Sequence, residues 1–232
     1  MAHRTLMNWS GGKDAALALH YLRQDPDYQV TDLLTSVSAP HQRVAMHGVR
    51  VELLATQARH LGLPLTQLCL PDMPDMAIYE SWMRDTLAPL QAQGITHAAF
   101  GDIFLEDLRA YRERQLQLVG LQAVFPLWQR PSLELLEEFW QAGFQAIVVC
   151  VNEQLLGESF CGRLLDRDFV RDLPPGVDPC GENGEYHSFV FDAPYFPEPI
   201  AFRLGERVRR TYPALAQGAE EVGFWFQDLL PA

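Results

Sequence analysis

Asn8-Trp9-Ser10-Gly11-Gly12-Lys13-Asp14-Ala15-Ala16, near the start of the chain, decides how the rest is read. Thr5 to Trp9 is apolar enough for a short buried strand. Ala15-Ala16-Leu17-Ala18-Leu19 is strong helix-forming sequence, so Ser10-Gly11-Gly12 is the turn that joins strand to helix. Two adjacent glycines lack the Cβ atoms that would keep a bulky anion off the backbone. The first turn of the helix then offers free N–H groups and the positive end of the helix dipole, and Lys13 adds a cation at the same place. The stretch therefore predicts a site for a pyrophosphate or triphosphate. Glycine-rich turns are common, and the spacing is not that of a Walker loop, so the residues that follow have to support this reading.

They do so by their order. Apolar runs at Val30 to Val37, Leu65 to Leu70, His97 to Phe100 and Leu121 to Phe125 read as further strands. Between them lie helical patterns ending near Gln24, near Leu61, near Gln93 and before Gly120, with Pro89 expected to kink or shorten the third. Strands alternating with helices imply right-handed crossovers, hence a five-stranded parallel Rossmann-like α/β sheet with helices on both faces. The character changes past Trp128. Ser132 is a plausible N-cap, Ala146 to Val151 a strand, and a Gly- and Pro-rich stretch leads into a half-buried strand at Ser188 to Asp192. We expect a phosphate-binding domain over residues 1–130 and a smaller α+β domain over 131–232.

Ligands of parallel sheets sit at the carboxyl ends of the strands. The Ser10 to Asp14 loop, Ser36 and Val37, and Gly101 with Asp102 should therefore line one pocket. Glu182 and Glu185, with Asn183 and His187, form a glycine-broken segment that is either a solvated turn or a set of groups able to orient a substrate or move a proton. Arg109 and Arg112 follow Asp102 on a helix, where exposed ion pairs are the ordinary explanation and contact with an anionic substrate the functional one. His47, in Met-His-Gly, has the same two readings: a lone loop histidine is more often structural or merely exposed, and a binding role is the functional alternative.

With 30 acidic and 18 basic residues the net charge is −12, so the surface should repel nucleic acid. No segment approaches the ~18 continuous apolar residues of a membrane span, and Met-Ala-His-Arg before a strand is no signal peptide; a cytoplasmic protein is expected. A homo-oligomer is compatible with all of this. Cys69, Cys150, Cys161 and Cys180 form no C-x-x-C pair. Cys69 and Cys150, in apolar runs, are expected to be buried; Cys161 and Cys180 lie in polar stretches and receive no role.

Ser10 to Asp14 resembles the PP-loop of ATP pyrophosphatases, which cleave ATP between the α and β phosphates. Ala15 stands where that signature has serine. Together with Met46-His47-Gly48-Val49-Arg50, Gly101-Asp102-Ile103, Tyr111-Arg112-Glu113, Phe125-Pro126-Leu127-Trp128 and Gly181-Glu182-Asn183-Gly184-Glu185-Tyr186-His187, it makes the whole chain resemble the diphthine–ammonia ligase family, and more closely its bacterial relatives. The resemblance implies an adenine nucleotide alpha hydrolase-like domain that binds ATP and a second domain whose Glu182 and Glu185 face an acceptor. It implies adenylation of a carboxylate, on a small molecule or a protein side chain, followed by attack of ammonia. Lys13, Glu182 and Glu185 would be catalytic, Asp14 or Asp102 would hold Mg²⁺, and His47, Arg109, Arg112, Asn183 and His187 would contact the acceptor. A nucleotide-binding regulator without turnover is the rival that Ala15 favours. A PP-loop tRNA-modifying enzyme is a further one, opposed by the negative charge.

Overall fold

The computed structural model describes residues 1–71, 76–212 and 221–232, with side chains at all of these except 76 and 77. Strand β1 (His3–Asn8) leads through the glycine turn into helix α1 (Lys13–Gln24). There follow β2 (Tyr28–Ser38), the two-residue β3 (Arg43–Val44), α2 (Val51–Leu61), β4 (Leu65–Leu70), α3 (Met76–Ala92), β5 (His97–Ala99), α4 (Glu106–Leu118) and β6 (Gln122–Val124). The five longer pairing partners run parallel in the order β4-β2-β1-β5-β6, the doubly wound arrangement expected from the alternation of elements. Beyond the end of β1, β3 pairs antiparallel with Val37 and Ser38 of β2.

Helix α5 (Ser132–Gln141), β7 (Gln145–Asn152), the short α6 (Arg167–Arg171), β8 (Tyr186–Asp192), β9 (Phe202–Tyr212) and β10 (Val222–Pro231) complete the chain. The four strands form an antiparallel sheet ordered β8-β7-β10-β9. One apolar core joins the two sheets: Leu17 and Leu53 from the first half share it with Phe139, Val148 and Phe189 from the second. A smaller core, with Leu6, Leu34, Leu87 and Leu116, lies under α3 and α4.

Three local expectations change. Pro89 lies inside α3, three residues before its end, and does not shorten it. The N-cap of α5 is Pro131; Ser132 is its first helical residue, its hydroxyl drawn away to Asp178 at 2.6 Å. Cys69 is exposed, because β4 is an edge strand whose alternation buries Leu68 and Leu70 instead. Cys161 and Cys180 are buried, and burial pushes both thiols up to about 12, which makes them inert.

Candidate active site

The turn after β1 is built around a left-handed Gly11, with φ +78°, where a Cβ would stand 2.5 Å from Leu54 Cδ1. Gln57, wholly buried on α2, holds this turn. Its Nε2 donates to the Gly11 carbonyl (3.1 Å) and to the Val190 carbonyl (2.6 Å), and its Oε1 accepts from Trp9 Nε1 (2.9 Å). Strand β8 docks on the same turn: Val190 N–H donates to the Gly11 carbonyl at 2.9 Å, and Lys13 N–H donates to Ser188 Oγ at 3.1 Å. The glycine loop is thereby fixed between the two sheets. Neither Gln57 nor Ser188 was a sequence candidate, since an isolated Gln or Ser carries no local signal of a contact so distant in the chain.

Gly101 brings the loop after β5 against the first turn of α1. A Cβ there would lie 2.7 Å from the Asp14 carbonyl carbon, a backbone atom that cannot swing aside. Asp102 follows it, and Arg112 Nε lies 2.6 Å from its Oδ2. From the other side comes the turn before β8. Glu182 Oε1 accepts from Ile103 N–H (2.7 Å) and Phe104 N–H (3.3 Å), so the second half of the chain is fastened to the loop after β5.

These loops enclose a cleft of about 500 Å³. Ser10, Gly12, Lys13, Asp14, Ser36, His47, Gly101, Asp102, Arg112, Glu182 and His187 all line it. Five candidates stand apart from its lining. Gly11 is buried inside the turn itself, and Val37 is buried beside its β3 partner Val44. Arg109 pairs with Glu113 at 2.8 Å and stacks 4.5 Å over Trp128. Glu185 is only 2% exposed and accepts from Asp178 N–H, Asn183 N–H and Asn183 Nδ2, so it and Asn183 brace the turn that presents Glu182.

The electrostatics of the cleft follow from burial. Lys13 Nζ lies 2.8 Å from Asp14 Oδ2 and 5.3 Å above the Tyr186 ring. Burial alone would lower its pKa, but Asp14, Tyr186 and Cys180 together raise it, so the ammonium persists. Burial raises the Asp14 and Asp102 carboxyls, against the pull of Lys13 and Arg112. It pushes Glu182 up to about 7. His47 and His187, with ring centroids 4.5 Å apart, are both held neutral, His47 at about 4, chiefly by desolvation.

Asp228 on β10 holds the loop that carries His47, accepting from Arg43 Nη1 (2.8 Å), Arg50 Nη2 (2.7 Å) and Arg50 Nε (3.0 Å). Burial would raise its carboxyl, but the hydrogen bonds and charges of Arg50 and Arg43 bring it down to about 2, against 3.8 for the unfolded chain. A depressed carboxylate contributes stability that is fully present above the unfolded value and lost as pH falls through the folded one. Asp228→Asn should therefore lower stability at pH 7, and its deficit against the parent should close as the pH falls from about 4 to about 2. Urea denaturation across that range checks this; a deficit independent of pH would contradict the assignment.

A doubly wound sheet with a glycine–lysine loop at the start of its first helix, open to an anion and covered by a second sheet, defines a PP-loop α/β protein. The chain belongs to the diphthamide synthase family: the profile of the diphthamide synthase N-terminal domain matches residues 3–123, and that of its C-terminal domain matches residues 131–215. Three similar proteins carry the name diphthine–ammonia ligase. That of Bos taurus is 32% identical over 121 residues, covering 50% of this chain and 45% of the bovine protein. That of Rattus norvegicus is 26% identical over 235 residues, covering 89% and 85%. That of Homo sapiens is 31% identical over 132 residues, covering 54% and 48%. The chain thus aligns to less than half of the bovine and human relatives but to most of the rat one.

Among the described residues no helix is long and apolar enough to cross a membrane.

Proposed function

We propose that the protein is an ATP-dependent carbon–nitrogen ligase that adenylates a carboxylate and lets ammonia displace AMP, as the name of its relatives suggests. The observation that carries this reading is the docking of β8 on the glycine loop, which makes Lys13, Asp14, Asp102 and Glu182 walls of one cleft. A carboxylate oxygen attacks the α phosphorus of ATP, the bond to the β-phosphate oxygen breaks, and pyrophosphate leaves. Ammonia then attacks the acyl carbon, the bond to the AMP oxygen breaks with its electron pair, and nitrogen gives up a proton. Lys13 and the first-turn N–H groups would oppose the charge that gathers on pyrophosphate. Glu182, oriented by two backbone N–H groups and poised near neutrality, would take the proton.

Asp14 and Asp102 have the hard oxygens that Mg²⁺ prefers and line the same cleft. No described group of three His, Cys, Asp or Glu residues forms a metal cage, which suits an ion held by one or two carboxylates and the phosphates of its nucleotide. Bound there, Mg²⁺ would neutralise phosphate charge.

The test is incubation with ATP, Mg²⁺, an ammonium salt and a panel of carboxylic acids. AMP and pyrophosphate are expected; ADP and orthophosphate would contradict attack at the α phosphorus.

Ala15, which lines the cleft at the motif's serine position, is the observation favouring a nucleotide-binding regulator without turnover. Ala15→Ser adds a hydroxyl there. A gain in ATP affinity of about two- to twelvefold, equivalent to one hydrogen bond of roughly 0.5–1.5 kcal/mol, is expected by calorimetry. An unchanged affinity would mean that the loop has no place for a hydroxyl, and Ala15 would then carry no weight for the regulator.

A further inference from the structure

A second chamber, of about 260 Å³, lies between β1, β2 and β5 on one side and α3 and α4 on the other. Asn8, Leu34, Tyr79, Phe100 and Arg112 line both this chamber and the nucleotide cleft, so the two spaces meet along those side chains. Its depth is apolar: Leu34, Leu87, Ala98 and Leu116 are buried side chains of the smaller core. Its neck is not. Arg112 stacks 4.3 Å over the Phe100 ring and turns Nε and Nη2 toward Asp102, while Nη1 makes no hydrogen bond among the described residues. A guanidinium fork offers N–H groups on more than one edge, so pairing with one carboxylate does not exhaust it. On the wall toward α3 and α4 the lining is mixed: Glu80 accepts from Gln115 Nε2 at 2.9 Å and from Tyr111 Oη at 3.4 Å, and Arg84 stands nearby.

A chamber with an apolar depth and a cation at the neck suits a molecule with an apolar body and an anionic head. We propose that the chamber takes the body of the acceptor, and that this acceptor is a small carboxylic acid with a compact aliphatic or aromatic body whose carboxylate is held at the neck by Arg112. This rests on the ligase reading, which requires a carboxylate at the border of the nucleotide cleft. A space of about 260 Å³ between the sheet and two helices, open at Arg84 and Leu118, fits a free small molecule, which can enter whole.

Calorimetry on the full chain, with ATP and Mg²⁺ present, tests this with hexanoate, octanoate and 3-phenylpropanoate as probes and acetate as the bodiless control. The apolar acids are expected to bind at least about tenfold more tightly than acetate. Met83→Trp, which fills the chamber from α3 and touches nothing in the nucleotide cleft, should remove that advantage while leaving ATP affinity within about twofold. Val119→Phe, filling from α4, serves the same end should the first variant fail to fold. Equal binding of acetate and the apolar acids, no binding by any of them at millimolar concentration, or full advantage retained in a folded filled variant would overturn the proposal. Apolar acids that compete with ATP would overturn it as well, by giving the chamber to the nucleotide. Failure of the parent protein to bind ATP would instead sink the ligase reading.

Discussion

Lys13→Ala should weaken ATP binding by between about ten- and a hundredfold, the loss of one charge-assisted contact worth roughly 1.5–3 kcal/mol. Lys13 is 4% exposed, so its cation meets a ligand where little water competes, and its backbone is pinned by Ser188. Its ammonium persists because Asp14, 2.8 Å away, acts with Tyr186 and Cys180 against the cost of burial. The same pairing makes a second demand on the variant. Asp14 would be left without its cation in a half-buried place, which can cost stability by itself, so a melting temperature must accompany the titration. A variant that still folds and binds ATP as the parent does would remove the glycine–lysine loop from the nucleotide site.

Glu182→Gln should leave ATP affinity within about twofold and reduce amide formation by a hundredfold or more, since general-base steps contribute about 10²–10⁴-fold. Glutamine keeps the carbonyl oxygen that accepts from Ile103 and Phe104, so the turn should survive while the proton acceptor is lost. The pH profile separates this from a general loss of structure. With its carboxyl near 7 by burial, the parent should gain activity as pH rises through about 7 and Glu182 gives up its proton, and the variant should lack that limb. The sign for stability is opposite: a carboxyl raised above its unfolded value of 4.5 costs stability as pH rises from there toward 7. Glu185→Gln should behave differently, because Glu185 is consumed by the turn itself. A loss of stability should accompany any loss of rate there. Equal turnover in Glu182→Gln and the parent would remove Glu182 from the chemistry.

The architecture of the first half was legible because its signals are local. Five apolar runs alternate with amphipathic helices, and the glycine–lysine turn falls where a parallel sheet needs its ligand loop. Ser10, Lys13, Asp14 and Asp102 could be placed in one cleft from that alone. The second half was legible only as far as β7 and β8. Strand β9 (Phe202–Tyr212) is an edge strand, mostly exposed and rich in arginine, and offers no clean alternation of apolar and polar residues. The roles of Gln57 and Ser188 were hidden for another reason: the Lys13–Ser188 bond spans 175 residues, and nothing adjacent to either residue records it. Glu182 and Glu185 look alike in sequence. Only the fold shows that one faces the cleft and the other holds the turn together.

A crystal structure of the protein with Mg²⁺ and a non-hydrolysable ATP analogue tests most directly whether the two halves form one ligase site. The triphosphate is expected on the Ser10 to Asp14 loop beside Lys13, with Mg²⁺ on Asp14 or Asp102, and with Glu182 across the cleft from the α phosphate. Nucleotide bound away from that loop, or bound there with Glu182 turned out of the cleft, would contradict it.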